Sequence, residues 1–409
     1  MKKAAILYIQ IFSILLIQIG CTEPFDIKTI DFENILVVES TLTNELKQQI
    51  IKLSRTTTLE NLNVVIENNA SVTVKASNGN VFNFSQDLTT GEYLSDIEFQ
   101  ALKDVTYTLH ITTKEGKNYI SSAVTLPPTI EIDSLYSELI SKDDQEGVQV
   151  FVNTSDPTKK TKYFKYEYEE TYKVVAPFPS SYLAEIVNFE IINGDEKYDV
   201  HTTSRTPEEV CYSTVKSEGI LQIATSNLNE NEVFRFPIRF MNKNSGMLRD
   251  RYSILVKQYV QSPEAYIFYK TIKELGNTES LLSQNQPGYI VGNINMVTNS
   301  DEKVLGFFEV SSVTSKRIYF NYTDFGVEKP PYLIEDCESP LRLDYRKTGT
   351  KRNEDGSLEP NDRANIRISI RRYNYQIIYF HHPFYHIIKQ ECSVCTSISS
   401  NVKPDFWED

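Results

Sequence analysis

Near its end the chain reads HHPFYHIIKQECSVC, which places His381, His382, His386, Cys392 and Cys395 within fifteen residues. Imidazoles and thiolates at short spacings are zinc ligands, and three of them with a water would make a metal-assisted hydrolase conceivable. A Cys-x-x-Cys can also be a redox dithiol or the ends of two structural disulfides, and the compartment decides among these readings. Elsewhere, KRNEDGSLEPND carries Asn353, Asp355, Gly356 and Asp362 in a spacing reminiscent of a calcium loop. With Gly356 in the sixth position, however, Lys351 falls where the loop needs a carboxylate, so a polar hairpin tip on Asp355-Gly356 is the better reading. The chain has five His (His110 and His201 are the other two), no His-Glu-x-x-His, no Gly-x-Ser-x-Gly and no phosphate or dinucleotide loop. No catalytic residue and no cofactor is assigned.

The compartment is written at the amino terminus. Lys2 and Lys3 precede an apolar run from Ala4 to Ile19, and Gly20-Cys21 follows. This is the layout of a secretory signal, too short and too interrupted by Gln10 and Gln18 to be a spanning helix. A small residue directly before Cys at the end of such a run is the bacterial lipoprotein pattern, although Gln18 stands where the box usually has an aliphatic residue. Residues 1–20 are therefore expected to be cleaved, Cys21 to carry the acyl chains, and 21–33 to serve as a tether. No other segment could span a membrane. Once Cys21 is acylated, Cys211, Cys337, Cys392 and Cys395 remain, an even number in an exported chain, with three possible connectivities. A bond within Cys-x-x-Cys belongs beside a βαβ pattern, which is absent, so both C-terminal cysteines are expected to reach back, one to Cys211 and one to Cys337. They would pin a polar tail and let Phe406 and Trp407 bury their rings.

Cleavage removes two of 42 basic residues and none of 55 acidic ones, leaving a net charge of −15. That balance excludes nucleic acid and anionic membrane surfaces as partners.

The elements that must hold these residues are strands. From Asn34 to Pro128, ILVVES, QQIIKLSR, ASVTVKAS, NVFNFSQ, VTYTLHITT and NYISSAVTL alternate or are rich in β-branched residues, with Asn78-Gly79 as a hairpin turn. This spacing predicts an immunoglobulin-like sandwich over 34–128, ending at Pro127-Pro128. A larger β domain over 129–409 follows. In it, YFKYEYEETY places Phe164, Tyr166 and Tyr168 on one face and Lys165, Glu167 and Glu169 on the other; the aromatic stripe reads as core before it reads as a stacking platform. Ser262, Pro263 and Gly276 bracket one helix over 263–275. NIRISIRRYNYQIIYF alternates as a strand would.

The order of these motifs is similar to that of a family. Cys21, ILVVES, YFKYEYEETYKVVAPF, CYSTV, YSILVKQYVQSPEAYIFYKTIKELG, GNIN, VLGFFEVSSVTSKRIYF and the terminal CSVC and KPDFW resemble the Bacteroidetes outer-membrane lipoproteins classed as a domain of unknown function and encoded beside TonB-dependent receptors. Where members often show Cys-Trp this chain has Cys211-Tyr212, and Ser397 to Asn401 replaces a Gly-rich step. The resemblance implies a body held on the outer membrane by lipid alone, facing outward, with a receptor barrel as partner in nutrient capture or uptake. It carries over no catalytic residue and names no ligand. The competing readings are the His381–Cys395 hydrolase and a purely structural or adhesive surface protein.

Overall fold

The computed structural model describes residues 34–57, 63–225, 232–276, 290–299, 301–334, 336–337 and 339–409. The expected signal, Cys21 and tether lie outside them. Nine strands come first: β1 Leu36–Thr43, β2 Ile50–Arg55, β3 Val65–Ile66, β4 Ser71–Ala76, β5 Val81–Gln86, β6 Tyr93–Ser95, β7 Thr106–Thr112, β8 Asn118–Ser121 and β9 Val124–Thr125. The period of two that marks them in the sequence becomes a period of two in burial. In β7, Tyr107, Leu109 and Ile111 are buried while the residues between them are not.

The chain continues through β10 Ser134–Lys142, β11 Gln145–Ser155, β12 Tyr163–Val175, β13 Tyr182–Ile192, β14 Asp195–Ser204, β15 Val210–Lys216, β16 Leu221–Ala224, β17 Glu232–Asn242 and β18 Tyr252–Val260. Helix α1 spans Pro263–Gly276, as the flanking signals predicted, and Ser262 Oγ accepts from the Ala265 amide at 3.1 Å. Then come β19 Ile294–Met296, β20 Val304–Phe320, β21 Leu341–Asp344, α2 Asp362–Tyr373, β22 Gln376–His381 and β23 Phe384–Ile388. The chain is mainly β with a packed helix, as expected.

Two expectations need correction. The boundary at Pro127-Pro128 divides the chain but not the sheet. β19 pairs with β8, and the first half of β20 pairs in parallel with β1, from Leu36↔Val304 to Thr43↔Ser311. The second half of β20 pairs antiparallel with β18. One strand therefore belongs to both units, and a single hydrogen-bonded path runs from β15 through β12, β18, β20 and β1 to β19. Parallel pairing requires a long crossover, and no local pattern announces it. Residues at both ends of the first unit's path, Leu36 and Val38 on β1, Tyr119 on β8 and Ile294 on β19, meet in one core, so the sheet folds back on itself to close the sandwich. Gly306 makes the seam possible, because a Cβ there would stand 2.4 Å from the Val38 carbonyl oxygen.

The second correction is α2, where a strand was expected. Ile366, Ile368 and Ile370 alternate, but Ile366 and Ile370 are also one helical turn apart and are the two that bury. Asn361 accepts from the Ala364 amide at 2.9 Å, Asp362 opens the first turn, Arg371 and Arg372 close the last, and Asn374 takes the left-handed conformation that ends a helix. α2, the β13–β14 hairpin and the β21–β23–β22 sheet share a small core around Ile186, Tyr198, Ile377 and Ile387. The main core of the second unit lies between the β10–β11–β17 sheet and the inward faces of β12 and β18, where Phe164 and Tyr166 are fully buried.

Candidate functional site

The aromatic stripe of β12 is thus core, and attention passes to its other face. Register sets Lys165 opposite Tyr259 and Glu167 opposite Lys257 on β18, while β20 carries Glu309 beside Thr41 of β1. Lys165, Glu167, Lys257, Tyr259 and Thr41, with Glu39 and Lys52 from the first unit and Tyr269 from α1, line a cleft of about 650 Å³ between the two units, and Glu309 lies beneath it. A shared, twisted sheet with a helix laid against it leaves such a groove where the units turn away from each other.

Lys165 anchors the floor. Its ammonium is 3.2 Å from Glu167 Oε1 and lies over the rings of Tyr259 at 4.6 Å and Tyr269 at 5.2 Å. Burial pushes this ammonium down, but Glu309, Tyr269 and Glu167 outweigh it and raise the group to about 12. Glu309 is sealed below the cleft; Gln261 Nε2 donates to it at 3.2 Å, and burial pushes its carboxyl up against the pull of Lys165. The Tyr259 hydroxyl donates to Glu167 Oε2 at 2.8 Å, and burial first, then Glu167, drive that phenol far above its ordinary range. Tyr269 rises to about 12, by burial and then by Glu309. Lys165, Tyr259 and Tyr269 therefore keep one protonation state throughout the physiological range. They hold charge and ring faces in place rather than exchange protons.

The rim is also ionic. Lys257 on β18 reaches Glu45 of the first unit at 2.8 Å, Lys47 meets the same carboxylate at 2.5 Å, and Lys52 meets Glu92 at 2.8 Å. Ammonium, carboxylate and hydroxyl groups stand around the opening together with the apolar side chains of Ile50, Ile220 and Leu255, a lining suited to a ligand that carries donors and acceptors on an apolar frame. The sequence set Lys165, Glu167 and Glu169 on one face, but that this face is enclosed depends on β1 and α1, which are distant in the chain.

The residues singled out by type lie elsewhere. Cys211 is bonded to Cys395, and Cys337 to Cys392, across separations of 184 and 55 residues, with Cα atoms 5.6 Å apart in each pair. The thiolates needed by the zinc reading are thereby consumed, and the hydrolase built on His381–Cys395 loses its sulfur ligands. His381 and His382 sit exposed at the β22–β23 turn, and His386 packs beside Tyr379. Among the described residues no three His, Cys, Asp or Glu side chains are placed to share a metal ion. Asp355-Gly356 is a tight polar tip, where Asp355 accepts from the Ser357 amide at 2.9 Å and Gly356 has φ of 82°. Beyond the disulfides, the Tyr212 amide donates to the Ser400 carbonyl at 2.7 Å, and Trp407 packs edge-on against Tyr212 at 5.0 Å and Tyr319 at 6.4 Å. The Arg317 guanidinium lies 3.6 Å from the Phe406 ring centre.

The fold is thus two units that share a strand, with a cleft between them and a tail fastened by two disulfides. A family model described as Domain of unknown function (DUF4249) matches residues 22–317, most of the chain, and the chain belongs to that family. The match begins directly after Cys21 and takes in every strand that lines the cleft. No curated protein is similar enough to the chain to count as a relative.

Proposed function

We propose that the protein is a lipid-anchored outer-membrane surface lipoprotein that serves as an accessory partner of a TonB-dependent receptor in nutrient capture or uptake. The observation that carries the reading is Gly20-Cys21 at the end of the apolar amino-terminal run, with β1 starting at Leu36. The intervening chain can span at most roughly 50 Å, so acylation of Cys21 would confine the body beside neighbouring barrels and raise its effective concentration there. Among the described residues no helix is long and apolar enough to cross a membrane, in keeping with attachment through lipid. The mixed-charge cleft supports capture of a polar ligand.

Purification of the intact lipoprotein from detergent-solubilised outer membranes tests the partnership. A receptor barrel should be recovered with it in near-equal amount; recovery of the lipoprotein alone, across mild detergents, sinks the proposal. Cys21→Ala should move the protein from membrane to soluble fractions.

A further inference from the structure

The lining of the cleft narrows the chemistry of what it can hold. Five lysines and four glutamates line it, and Glu45 and Glu309 stand directly behind that lining. Charges of both signs in near-equal number select against a polyanion, and among the described residues no arginine lines the cleft to grip a phosphate with a planar fork. The lining tyrosines are no platform for a sugar ring either. Tyr166 and Tyr168 turn into the core, and the ring faces of Tyr259 and Tyr269 on the floor are taken by the Lys165 ammonium. A wholly apolar ligand would strip water from the charged groups and return nothing for it. What fits is a ligand with both positive and negative groups, amide-like donors and acceptors, and aliphatic side chains to lie on Ile50, Ile220 and Leu255.

Most of these charges are already matched within the protein. Lys257 and Lys47 share Glu45, Lys52 holds Glu92, Lys165 holds Glu167, and Arg317 stands 3.8 Å from Glu169. Two exposed lining charges are not: among the described residues, Glu39 on β1 and Lys216 at the end of β15 have no ion-pair partner. β15, β12, β18, β20 and β1 follow one another in the sheet, so four strand spacings of about 4.8 Å set these two strands roughly 20 Å apart, the reach of about six extended residues. We propose that the cleft binds a short peptide with free ends, its amino group at Glu39 and its carboxylate at Lys216. Capture of a chain end by an opposite charge fixes both the direction and the length of the peptide, while the matched pairs between the ends meet its amides.

A peptide ligand presupposes the capture role proposed above, and the experiment keeps the two apart. The intact lipoprotein, purified in mild detergent and immobilised, is offered random-sequence peptides of about five to seven residues. The same pool is offered acetylated at the amino end or amidated at the carboxyl end, and neutral oligosaccharides serve as competitors. Free peptides should be retained, and either cap should cut retention about tenfold. Glu39→Gln should abolish the effect of acetylation alone, and Lys216→Met that of amidation alone. Both side chains are exposed, so neither variant endangers the fold. No retention of the free pool, caps whose effect is nil or survives in both variants, or displacement of the peptides by oligosaccharide overturns the peptide site. The receptor barrel is assayed in the same preparation. Barrel recovered without peptide overturns the ligand alone, and peptide retained without barrel overturns the partnership alone.

Discussion

The sandwich and the carboxyl-terminal segment solve the same problem with different materials. In the first unit, twenty buried residues from β1 to β20 form one continuous apolar cluster, and no covalent bond crosses it. Beyond Phe320 the chain has short strands, one helix and the small cluster around Ile366 and Ile387, and both disulfides hold it. Cys392, Ser393, Val394 and Cys395 are buried, yet the stretch from Thr396 to Phe406 contributes no buried side chain until Trp407 closes it. A segment that cannot remove enough apolar surface from water must be held by restricting what it can do when unfolded. The family model covers the sandwich and cleft but stops at residue 317, before the segment that depends on these bonds.

The largest test of this contrast is reduction. Loops of 55 and 184 residues correspond to about 4 and about 5 kcal/mol in the chain-entropy account. Removing both bonds should expose residues 389–409 to proteases and hydrogen exchange while amides of β2, β4 and β7 stay protected. Simultaneous loss of protection in both regions would show that the sandwich depends on the tail. Next comes Leu109→Ala, fully buried in the sandwich core, which should lose about 3 kcal/mol by denaturant titration and leave the protection of the tail unchanged. Gly306→Ala probes the seam. Its methyl must push the Val38 backbone, so a loss of about 1–3 kcal/mol with weaker protection of both β1 and β18 is expected; an effect confined to β1 would mean that the units are only loosely coupled.

The smallest effect is electrostatic. Burial opposes ionisation of Glu45, but Lys257 and then Lys47 overcome it and hold this carboxyl below its usual 4.5. A carboxylate depressed in the folded state contributes stability above its unfolded value and loses it as pH falls through the folded one. Lys257→Met should therefore lose about 0.5–1 kcal/mol near neutrality and nothing below the acid transition, as a pH series of melts would show. A deficit that persists at low pH would make the contact one of packing.

Much of the sandwich was legible because each strand carries its own period, as β4 shows with buried Val72, Val74 and Ala76, and because Asn78-Gly79 marks its turn. Helix α1 was legible from Ser262 and Pro263. Helix α2 was not, since Ile366, Ile368 and Ile370 satisfy two periods and only Asn361 and Asn374 break the tie. The disulfides were legible as a pair reaching back to Cys211 and Cys337, though not in which C-terminal cysteine meets which. The cleft was half legible: β12 displayed Lys165 and Glu167 on one face, while what encloses them, β1 and Tyr269, is set by pairings over a hundred residues away that no local pattern encodes.

The parallel seam between β1 and β20 has a mechanical meaning. A pull applied to the chain ahead of β1 would load the start of that strand, and a load on the second unit would pull on the far half of β20 in the opposite direction. Eight residue pairs then slide against one another in shear, so their hydrogen bonds bear the strain together instead of opening one by one as in a zipper. Forced opening depends on how fast such a set can break rather than on equilibrium stability. A body tethered at one end and tugged at the other would thus keep its two halves together under a pull that peels less favourably oriented strands apart.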